Sequence, residues 1–408
     1  MTRTHSVVRG ALLVGAVAAF AACNSDNELL GPRPVDPLFG SYVALGNSIT
    51  AGYQSGGIND STQKQSYALL LARQMHTRYA YPALAMPGCP PPINNLLAGT
   101  RVGNGTSTTC AVRTPGSTTE FLNNVAVPGI SSGDPTAPSG TISGGANPLA
   151  QLILGGKTMV AKALDARPTF ASIWVGNNDV LGPATSGLIT NATPTATFRA
   201  NYGQMMSELI AGAPTMKGLL IAVVQVSQVP LLIRAAVLAD PTVAAAAAQV
   251  AGRPVILDPT TCIGNNLNAL VNFQYIAAIR NRPVAQPGTV FCLPVAGGGA
   301  NDPGDNGILD VNEQATITTR INEYNAYIQA KADSLGFAYY DPNPTLGALK
   351  ADPTKIPPFP NLTSVTAPFG QYFSLDGVHP SGAAHTLLAG EMVTAINAKF
   401  GTSLAAIQ

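Results

Sequence analysis

The chain has 408 residues, of which 46% are hydrophobic and 11% charged, and its formal net charge is +1. This apolar content allows a large core in one elaborated α/β domain, and the low charge excludes an intrinsically disordered chain. Because no stretch is strongly basic, a nucleic acid is not an expected partner.

The N-terminus has the features of an export signal. Arg3 and Arg9 lead into an apolar run over residues 10–22, which is too short to cross a bilayer comfortably. Cys23 follows the two alanines that end this run. Small residues before a cysteine at this place resemble a bacterial lipoprotein signal, in which the cysteine is lipidated and becomes the new N-terminus. The alternative is an ordinary secretory signal followed by a chance cysteine.

We therefore expect three segments. Residues 1–22 are a signal peptide, residues 23–38 are a lipidated cysteine with a polar, proline-rich tether, and residues 39–408 are the folded domain. The lipid would hold the protein on a membrane of the bacterial cell envelope, facing the periplasm or the outside of the cell.

Four cysteines remain besides Cys23, and an even number in an exported protein predicts two disulfides. The sequence-local pairing joins Cys89 to Cys110 and Cys262 to Cys292. The alternative is buried free thiols. A metal cluster is not expected, because none of these cysteines has a Cys or His nearby at ligand spacing.

Beyond residue 40, short apolar runs alternate with helical stretches. The runs predicted to be strands cover residues 41–46, 124–128, 170–175, 218–226 and 337–340. The stretches predicted to be helices cover residues 66–77, 147–166, 196–212, 317–335 and 381–399. This alternation, with glycine after several strands, predicts a parallel sheet covered on both faces, with functional sites at the carboxyl ends of its strands.

The stretch 227–316 interrupts this alternation. It contains an alanine-rich helical piece at 243–250, two of the cysteines and a glycine-rich run. We interpret it as an insertion that could cover the site like a cap, and not as a second independent domain.

Histidine is scarce, and three histidines remain after the signal peptide. His379 lies three residues after Asp376 in a turn-rich stretch, so the carboxylate can orient the imidazole and the imidazole can act as a general base. His385, in the last predicted helix, is the alternative base. His76 falls near the end of a predicted helix and is expected at the surface.

Ser48 is the candidate nucleophile. It follows the first predicted strand and a glycine. A serine at a strand-to-helix turn is exposed, and its own N–H can point to where an oxyanion would form. The alternative is a serine that caps the next helix.

Four short segments resemble, in order, the four blocks by which the SGNH/GDSL hydrolase family is known. Gly46-Asn-Ser-Ile resembles the Gly-Asp-Ser-Leu block, and residues 124–130 look like the second block, with Gly129 as its glycine. Residues 174–179 look like the third block, G-x-N-D, and residues 376–379 look like the fifth, D-x-x-H.

The resemblance implies a three-layer, flavodoxin-like α/β fold with a central parallel sheet. By position, it implies Ser48 as the nucleophile, His379 as the base and Asp376 as the acid that orients it. The oxyanion hole would consist of the backbone N–H groups of Ser48 and Gly129 and the side-chain amide of Asn178.

One residue departs from the family pattern. Asn47 stands where the first block usually has Asp. That Asp is not a triad member, so its replacement need not remove activity, but it does remove a negative charge beside the nucleophile.

These features predict a serine ester hydrolase, a lipase or esterase that acts on lipid or other carboxylic esters at the bacterial envelope and requires no cofactor. Two alternatives remain open. One is a non-catalytic envelope lipoprotein that binds carbohydrate or lipid, which Asn47 slightly favours. The other is a carbohydrate O-deacetylase.

A twelve-residue segment that begins at Asp302 is a candidate for a calcium loop. Asp302, Asn306, Asp310 and Glu313 fall at ligand positions, but Gly304 offers no side-chain oxygen at the third position. The alternative is a solvated acidic turn, with Asp310 as the cap of the next helix and Glu313 in its first turn.

Overall fold

The computed structural model describes residues 33–111, 121–141, 148–282, 288–293 and 307–407. The predicted signal peptide and Cys23 lie outside these residues, and so do Asp302 and Asn306. Within the described part of the chain, no helix is both long and apolar enough to cross a membrane.

The secondary structure alternates as the sequence predicts. The strands are β1 Tyr42–Gly46, β2 Ile93–Asn95, β3 Thr100–Arg101, β4 Phe170–Trp174, β5 Lys217–Ile221, β6 Leu232–Arg234, β7 Val255–Leu257, β8 Leu270–Asn272, β9 Gly288–Val290, β10 Ile308–Leu309 and β11 Ala338–Tyr340. The α-helices are α1 Ser48–Ala51, α2 Asp60–Gln63, α3 Tyr67–Gln74, α4 Pro148–Leu154, α5 Met159–Leu164, α6 Asn178–Ser186, α7 Thr195–Gly212, α8 Pro241–Ala251, α9 Phe273–Ala278, α10 Val311–Leu335, α11 Asn343–Ala351 and α12 Gly382–Phe400.

The central sheet has four parallel strands in the order β1-β4-β5-β11. Strands β1 and β4 are buried along their whole length, as expected for a parallel sheet with helices on both faces. The segment 124–128 joins this sheet beside β1 by a single bridge, from Asn124 to Ala44. The segment also donates the N–H groups of Val125 and Val127 to the carbonyl oxygens of Ala44 and Gly46, both at 3.0 Å. It therefore runs beside β1 as predicted, but it does not form a regular strand of the sheet.

Alternate side chains of the sheet pack into two cores, one on each face. Tyr42 and Ala44 of β1 belong to the core formed with α3 and α12. Val43 and Leu45 belong to the core formed with α7 and α10. The result is a three-layer α/β arrangement, which confirms the predicted fold class.

The predicted helix over 147–166 is two helices, α4 and α5. Gly155 and Gly156 separate them with φ angles of 61° and 90°. This left-handed conformation ends a helix and costs glycine little.

The predicted strand over 218–226 is shorter than its apolar run, since β5 ends at Ile221. Two residues farther on, the N–H of Val223 donates to the side chain of Asn325 at 2.7 Å, and the next N–H donates to Asn177 at 3.0 Å. Side-chain amides thus replace strand pairing where the chain leaves the sheet.

The stretch 227–316 contains strands of its own. Strands β10, β8 and β6 form an antiparallel sheet, and β7 pairs with β9 in parallel. The disulfide Cys262–Cys292 lies in this stretch, and a second disulfide joins Cys89 to Cys110. The structure therefore confirms both predicted disulfides.

Candidate active site

Ser48 lies at the carboxyl end of β1, where the chain turns directly into α1. Gly46 allows this turn to pack, because a β-carbon on it would lie 2.9 Å from the carbonyl oxygen of Trp174 and 2.2 Å from Oγ1 of Thr50. The turn leaves Ser48 at the edge of the sheet, with 8% of its surface exposed.

The structure brings Ser48, His379 and Asp376 together. Nε2 of His379 lies 2.9 Å from Oγ of Ser48, and Nδ1 lies 2.8 Å from Oδ2 of Asp376. The ring of Tyr53 packs against the imidazole, with ring centroids 4.9 Å apart. When Nδ1 carries the proton that faces the carboxylate, Nε2 is free to accept the proton of Ser48.

Backbone and hydroxyl donors surround Asp376. Its Oδ2 accepts from the N–H of Gly56 at 2.7 Å, and its Oδ1 accepts from the N–H groups of Val378 and His379 at 2.9 Å and from the hydroxyl of Ser374 at 3.1 Å. Burial acts to raise the pKa of Asp376, but the charge of His379 and the hydrogen bonds from His379 and Val378 hold this pKa well below its usual range. The carboxylate is therefore charged at neutral pH and can stabilise a protonated imidazole.

Gly129 and Asn178 line the same cavity as Ser48. Gly129 has a φ of 87°, which an L side chain rarely adopts. Nδ2 of Asn178 donates to the carbonyl oxygen of Ile130 at 2.7 Å. Because that partner is an acceptor, the amide nitrogen is the atom beside Ile130, and its second N–H remains available to a substrate.

The next residue, Asp179, fixes the same loop from inside the protein. It is buried and accepts from the N–H and the hydroxyl of Ser132 at 2.8 Å and 2.6 Å. Burial raises the pKa of Asp179, and the bonds from Ser132 oppose this shift. Asn178 and Asp179, the first two residues of α6, therefore bind the loop that carries Gly129 at two points, Ile130 and Ser132.

A cavity of about 590 Å³ opens beside Ser48 and His379. Its walls include the disulfide Cys89–Cys110 and the start of α4. Of the residues that the structure describes, none between 227 and 316 lines this cavity. The region around the first disulfide is therefore part of the wall of this cavity, and the described part of 227–316 is not.

The other two histidines lie elsewhere. His385 is fully buried in α12, where its Nδ1 accepts from the N–H of Tyr67 at 3.2 Å and its ring stacks on the Tyr67 ring. Burial lowers the pKa of His385 to about 3. His76 is exposed just beyond α3. The hydrogen bond to Ser48 thus belongs to His379.

Asn47 acts as the cap of α1, because its Oδ1 accepts from the N–H of Ile49 at 3.1 Å. The side chain is 1% exposed, and its Nδ2 has no hydrogen-bond partner among the described residues. The capping function needs only the oxygen that Asn and Asp share, so the departure from the family pattern leaves this turn intact.

Asp310 and Glu313 form a capping box at the start of α10. Oδ1 of Asp310 accepts from the N–H of Glu313 at 2.9 Å, and Oε2 of Glu313 accepts from the N–H of Asp310 at 2.8 Å. No group of three His, Cys, Asp or Glu side chains suited to a metal occurs within the described ranges. Asp302 and Asn306 lie outside them, so calcium binding stays a prediction.

Sequence reasoning misses three residues that hold this site, namely Gly56, Ser374 and Ser132. Gly56 and Ser374 bind Asp376, and Ser132 binds Asp179. The sequence offers a signal for one of them. If Asp179 of the G-x-N-D block is buried, its carboxylate needs hydrogen-bond donors, and Ser132 is such a donor.

Comparison with known proteins places the chain among ester hydrolases. The model of the family described as GDSL-like lipase/acylhydrolase matches residues 42–392. A search of curated protein sequences gave no match.

The chain also aligns with several solved structures. An extracellular lipase from Streptomyces rimosus is 15% identical, with 87% of this chain and 98% of that chain covered and a TM-score of 0.37. A family two carbohydrate esterase from Clostridium thermocellum is 13% identical, with 90% and 66% covered and a TM-score of 0.38. An acetyl-xylooligosaccharide esterase from Geobacillus is 13% identical, with 88% and 94% covered and a TM-score of 0.35.

Proposed function

The chain belongs to the GDSL-like lipase/acylhydrolase family and is a hydrolase of ester bonds, and on that premise we propose that it acts through an acyl-enzyme on Ser48. One observation carries the proposal. Oγ of Ser48, the imidazole of His379 and the carboxylate of Asp376 form a continuous hydrogen-bonded chain, with distances of 2.9 Å and 2.8 Å. This order of nucleophile, base and acid suits acyl transfer.

In the first half-reaction, Oγ of Ser48 attacks the ester carbonyl carbon while Nε2 of His379 accepts the hydroxyl proton. The bond between the acyl carbon and the alcohol oxygen then breaks, and His379 returns the proton to the leaving alcohol. In the second half-reaction, a water molecule gives a proton to His379 and attacks the acyl carbon. The bond between the acyl carbon and Oγ of Ser48 then breaks, His379 returns the proton to Oγ, and the carboxylic acid leaves. Asp376 stabilises the imidazolium at each stage. No cofactor enters these steps.

We assign the oxyanion to three donors, the N–H groups of Ser48 and Gly129 and the side-chain amide of Asn178. The hydrogen bond from Asn178 to Ile130 supports this assignment, because Ile130 directly follows Gly129 and the bond holds the amide close to it. Such donors stabilise the charge that develops on the carbonyl oxygen, and they need no reorganisation during the reaction.

The test is hydrolysis of p-nitrophenyl esters by protein that lacks residues 1–23. We expect Ser48→Ala to lose nearly all turnover, because no other nucleophile replaces the serine. A fluorophosphonate probe should label the wild type on Ser48 and leave the variant unlabelled. A wild type that binds esters but takes up no probe would instead be the non-catalytic binder.

We further propose that the enzyme works at the bacterial cell envelope, held by a lipid on Cys23. The support is the N-terminal sequence, in which a positive segment and an apolar run end at small residues before the cysteine. Membrane fractionation of full-length protein tests this. Wild type should sediment with membranes, whereas Cys23→Ser should be released in soluble form.

A carbohydrate O-deacetylase is the second candidate. The hydroxyl-bearing residues Ser107, Thr108 and Thr109 line the cavity beside Ser48, and these groups can bind the hydroxyls of a sugar. A higher kcat/KM for acetylated xylan fragments than for p-nitrophenyl acetate would favour this candidate over a lipase.

A further inference from the structure

The two edges of the central sheet carry different parts of the protein. Because β1, β4 and β5 are parallel, their amino ends lie at one edge of the sheet and their carboxyl ends at the opposite edge. Ser48 follows the carboxyl end of β1, and Asn178 follows that of β4. The active site therefore belongs to the carboxyl edge. We call the surface at the opposite edge the amino pole.

The N-terminal chain joins the domain at the amino pole. The N–H of Val35 donates to the carbonyl oxygen of Met75, directly after α3, at 3.1 Å. Thr169, directly before β4, donates its hydroxyl to the carbonyl oxygen of Leu38 at 2.8 Å, and the same hydroxyl oxygen accepts from the N–H of Ser41 at 2.9 Å. The chain is thus fixed beside the amino end of β4 before it begins β1.

The tether between Cys23 and this point is too short to reach around the domain. Its twelve residues, 24–35, span at most about 42 Å when fully extended. A compact domain of about 370 residues has a radius of roughly 27 Å, so the path over its surface from one pole to the other is roughly 80 Å. A lipid on Cys23 would therefore hold the amino pole near the membrane, and it could not bring the carboxyl edge there.

The amino pole also carries exposed positive charge. None of the four basic side chains concerned forms an ion pair within the described part of the chain. The ring of Phe400 packs on that of Phe170, the first residue of β4, which places the end of α12 at this pole. The four are Arg73 in the last turn of α3, Arg167 three residues before β4, Lys217 at the start of β5 and Lys399 in the last turn of α12.

Acidic side chains at the amino pole leave part of this charge uncompensated. Asp165 pairs with Lys157 at 2.7 Å, and Asp36 accepts from the N–H of Leu38. Asp333 near the end of α10 and Glu208 near the end of α7 offset two of the four positive charges. The remaining excess attracts anionic lipid headgroups.

We infer that the amino pole faces the membrane and that the active site opens away from it, into the aqueous phase. The inference rests on the lipid anchor and the Ser48 mechanism proposed above. It also defines a substrate class. The substrate is an ester carried by a water-soluble molecule or polymer, and not an ester lipid of the membrane that holds the enzyme.

Energy transfer from a fluorophore on the protein to an acceptor dye in the bilayer tests the orientation. Full-length, lipidated protein is placed in vesicles that contain phosphatidylglycerol, with the fluorophore on a cysteine introduced at one of two exposed residues. Thr215 lies two residues before β5 at the amino pole, and Pro148 begins α4 and lines the cavity beside Ser48. Since most of the depth of the domain separates the two positions, transfer from Thr215→Cys should be at least about twofold stronger than from Pro148→Cys. Equal transfer, or stronger transfer from Pro148→Cys, would overturn the orientation.

The double change Arg167→Gln and Lys217→Gln isolates the contribution of charge. In the protein labelled at Thr215→Cys, it should lower energy transfer to vesicles that contain phosphatidylglycerol. The matched control is Arg199→Gln with Arg234→Gln, which removes two exposed charges from the first half of α7 and from β6 and should leave the transfer unchanged. The same effect from both pairs would overturn the membrane contact of the amino pole.

Hexadecyl butanoate in the same bilayer, compared with p-nitrophenyl butanoate in solution, tests the substrate class. Wild type and Cys23→Ser protein should hydrolyse the soluble ester with kcat/KM values within about threefold of each other. The anchored wild type should hydrolyse the bilayer ester no faster than an equal amount of the released variant, although anchoring concentrates it at the surface. A rate about ten times higher for the anchored enzyme would overturn the inference, because anchoring would then present the active site to its own membrane.

The outcomes separate this inference from the proposed function. If Cys23→Ser protein stays with membranes as the wild type does, the lipid anchor is wrong. If Ser48→Ala protein hydrolyses esters like the wild type, the acyl-enzyme mechanism is wrong. If both variants behave as proposed but Pro148→Cys gives the stronger transfer, the orientation and the substrate class alone are overturned.

Discussion

Gly56 and Asp376 lie 320 residues apart in the chain, and a hydrogen bond of 2.7 Å joins the glycine N–H to Oδ2 of the aspartate. The same oxygen pairs with Nδ1 of His379. Ser55, just before Gly56, exchanges two more bonds with this loop, donating its N–H to Ser374 and accepting from Leu375. The turn after α1 therefore fixes the carboxylate relative to the nucleophile on α1.

The carboxylate of Asp376 should be essential for turnover. Asp376→Asn keeps the shape of the side chain, but its amide would favour the wrong tautomer of His379. We expect kcat to fall about 10³- to 10⁴-fold at pH 7. Initial-rate assays with p-nitrophenyl butanoate at pH 7 measure kcat for each variant. Ser374→Ala is the matched comparison, since it removes one donor but leaves the carboxylate, and should lose about tenfold or less. Equal losses in the two variants would contradict the role of the charge.

The amide of Asn178 should act on the transition state and not on substrate binding. Asn178→Ala removes one proposed oxyanion donor, so we expect kcat to fall about 10²- to 10³-fold with little change in KM. Steady-state kinetics over a range of ester concentrations separates the two parameters.

Ser132→Ala is the control for a general loosening of the loop. It removes the hydroxyl that donates to Asp179 and leaves Asn178 in place. We expect a smaller fall in kcat than for Asn178→Ala. If Asn178→Ala raises KM and leaves kcat unchanged, the amide binds ground-state substrate and is no oxyanion donor.

Much of the site could be predicted because its parts are local in sequence. Each catalytic residue follows a strand or a turn within a few positions, so the blocks around Ser48, Asn178 and His379 indicate both their chemistry and their place at the sheet edge. The bond between Gly56 and Asp376 could not be predicted. It depends on two consecutive left-handed residues, with φ of 55° and 64°, and on a contact across most of the chain.

The fold, like the site, could be predicted only where its signals are local in the sequence. Buried runs of apolar residues identify β1 and β4, but the run over 218–226 does not reveal that Asn177 and Asn325 end the pairing of β5.

The two disulfides should differ in their effect on activity. They close segments of similar length, with sequence separations of 21 and 30, so removing either should lower the free energy of unfolding by about 3 kcal/mol. Only Cys89–Cys110 lines the cavity beside Ser48. We expect the pair of changes Cys89→Ser and Cys110→Ser to lower kcat/KM as well.

The pair Cys262→Ser and Cys292→Ser provides the control. It should keep kcat/KM within about threefold of the wild type at a temperature where both variants are folded, because neither residue lines the cavity. Urea titrations give the stabilities, and p-nitrophenyl butanoate gives the activities. If activity falls only in the variant that lacks Cys262 and Cys292, the stretch 227–316 determines activity, and the cavity wall at Cys110 does not.

His385 should make the protein sensitive to acid without taking part in catalysis. Its pKa is about 3 in the folded protein and about 6.5 in the unfolded chain. Between these values the unfolded chain binds more protons, so stability is full above pH 6.5 and falls as the pH drops towards 3, by up to about 1.4 kcal/mol per pH unit. Asp376, whose folded pKa is lowered, adds a similar loss only below its unfolded pKa of about 4. Asp179, whose folded pKa is raised by burial, acts in the opposite direction and favours the folded state as the pH falls. The contribution of His385 is therefore measured as the difference between the wild type and a variant without this histidine, in urea titrations from pH 4.5 to 7.

The variant His385→Asn tests both statements. The asparagine oxygen can still accept from the N–H of Tyr67, which Nδ1 accepts in the wild type, but the side chain no longer titrates. We expect the variant to lose most of the decline in stability between pH 6.5 and 4.5 and to keep kcat/KM at pH 8 within about threefold. His379→Asn, in contrast, should be nearly inactive because it removes the group next to Oγ of Ser48. If the first variant is inactive but folded and the second is active, the general base is His385.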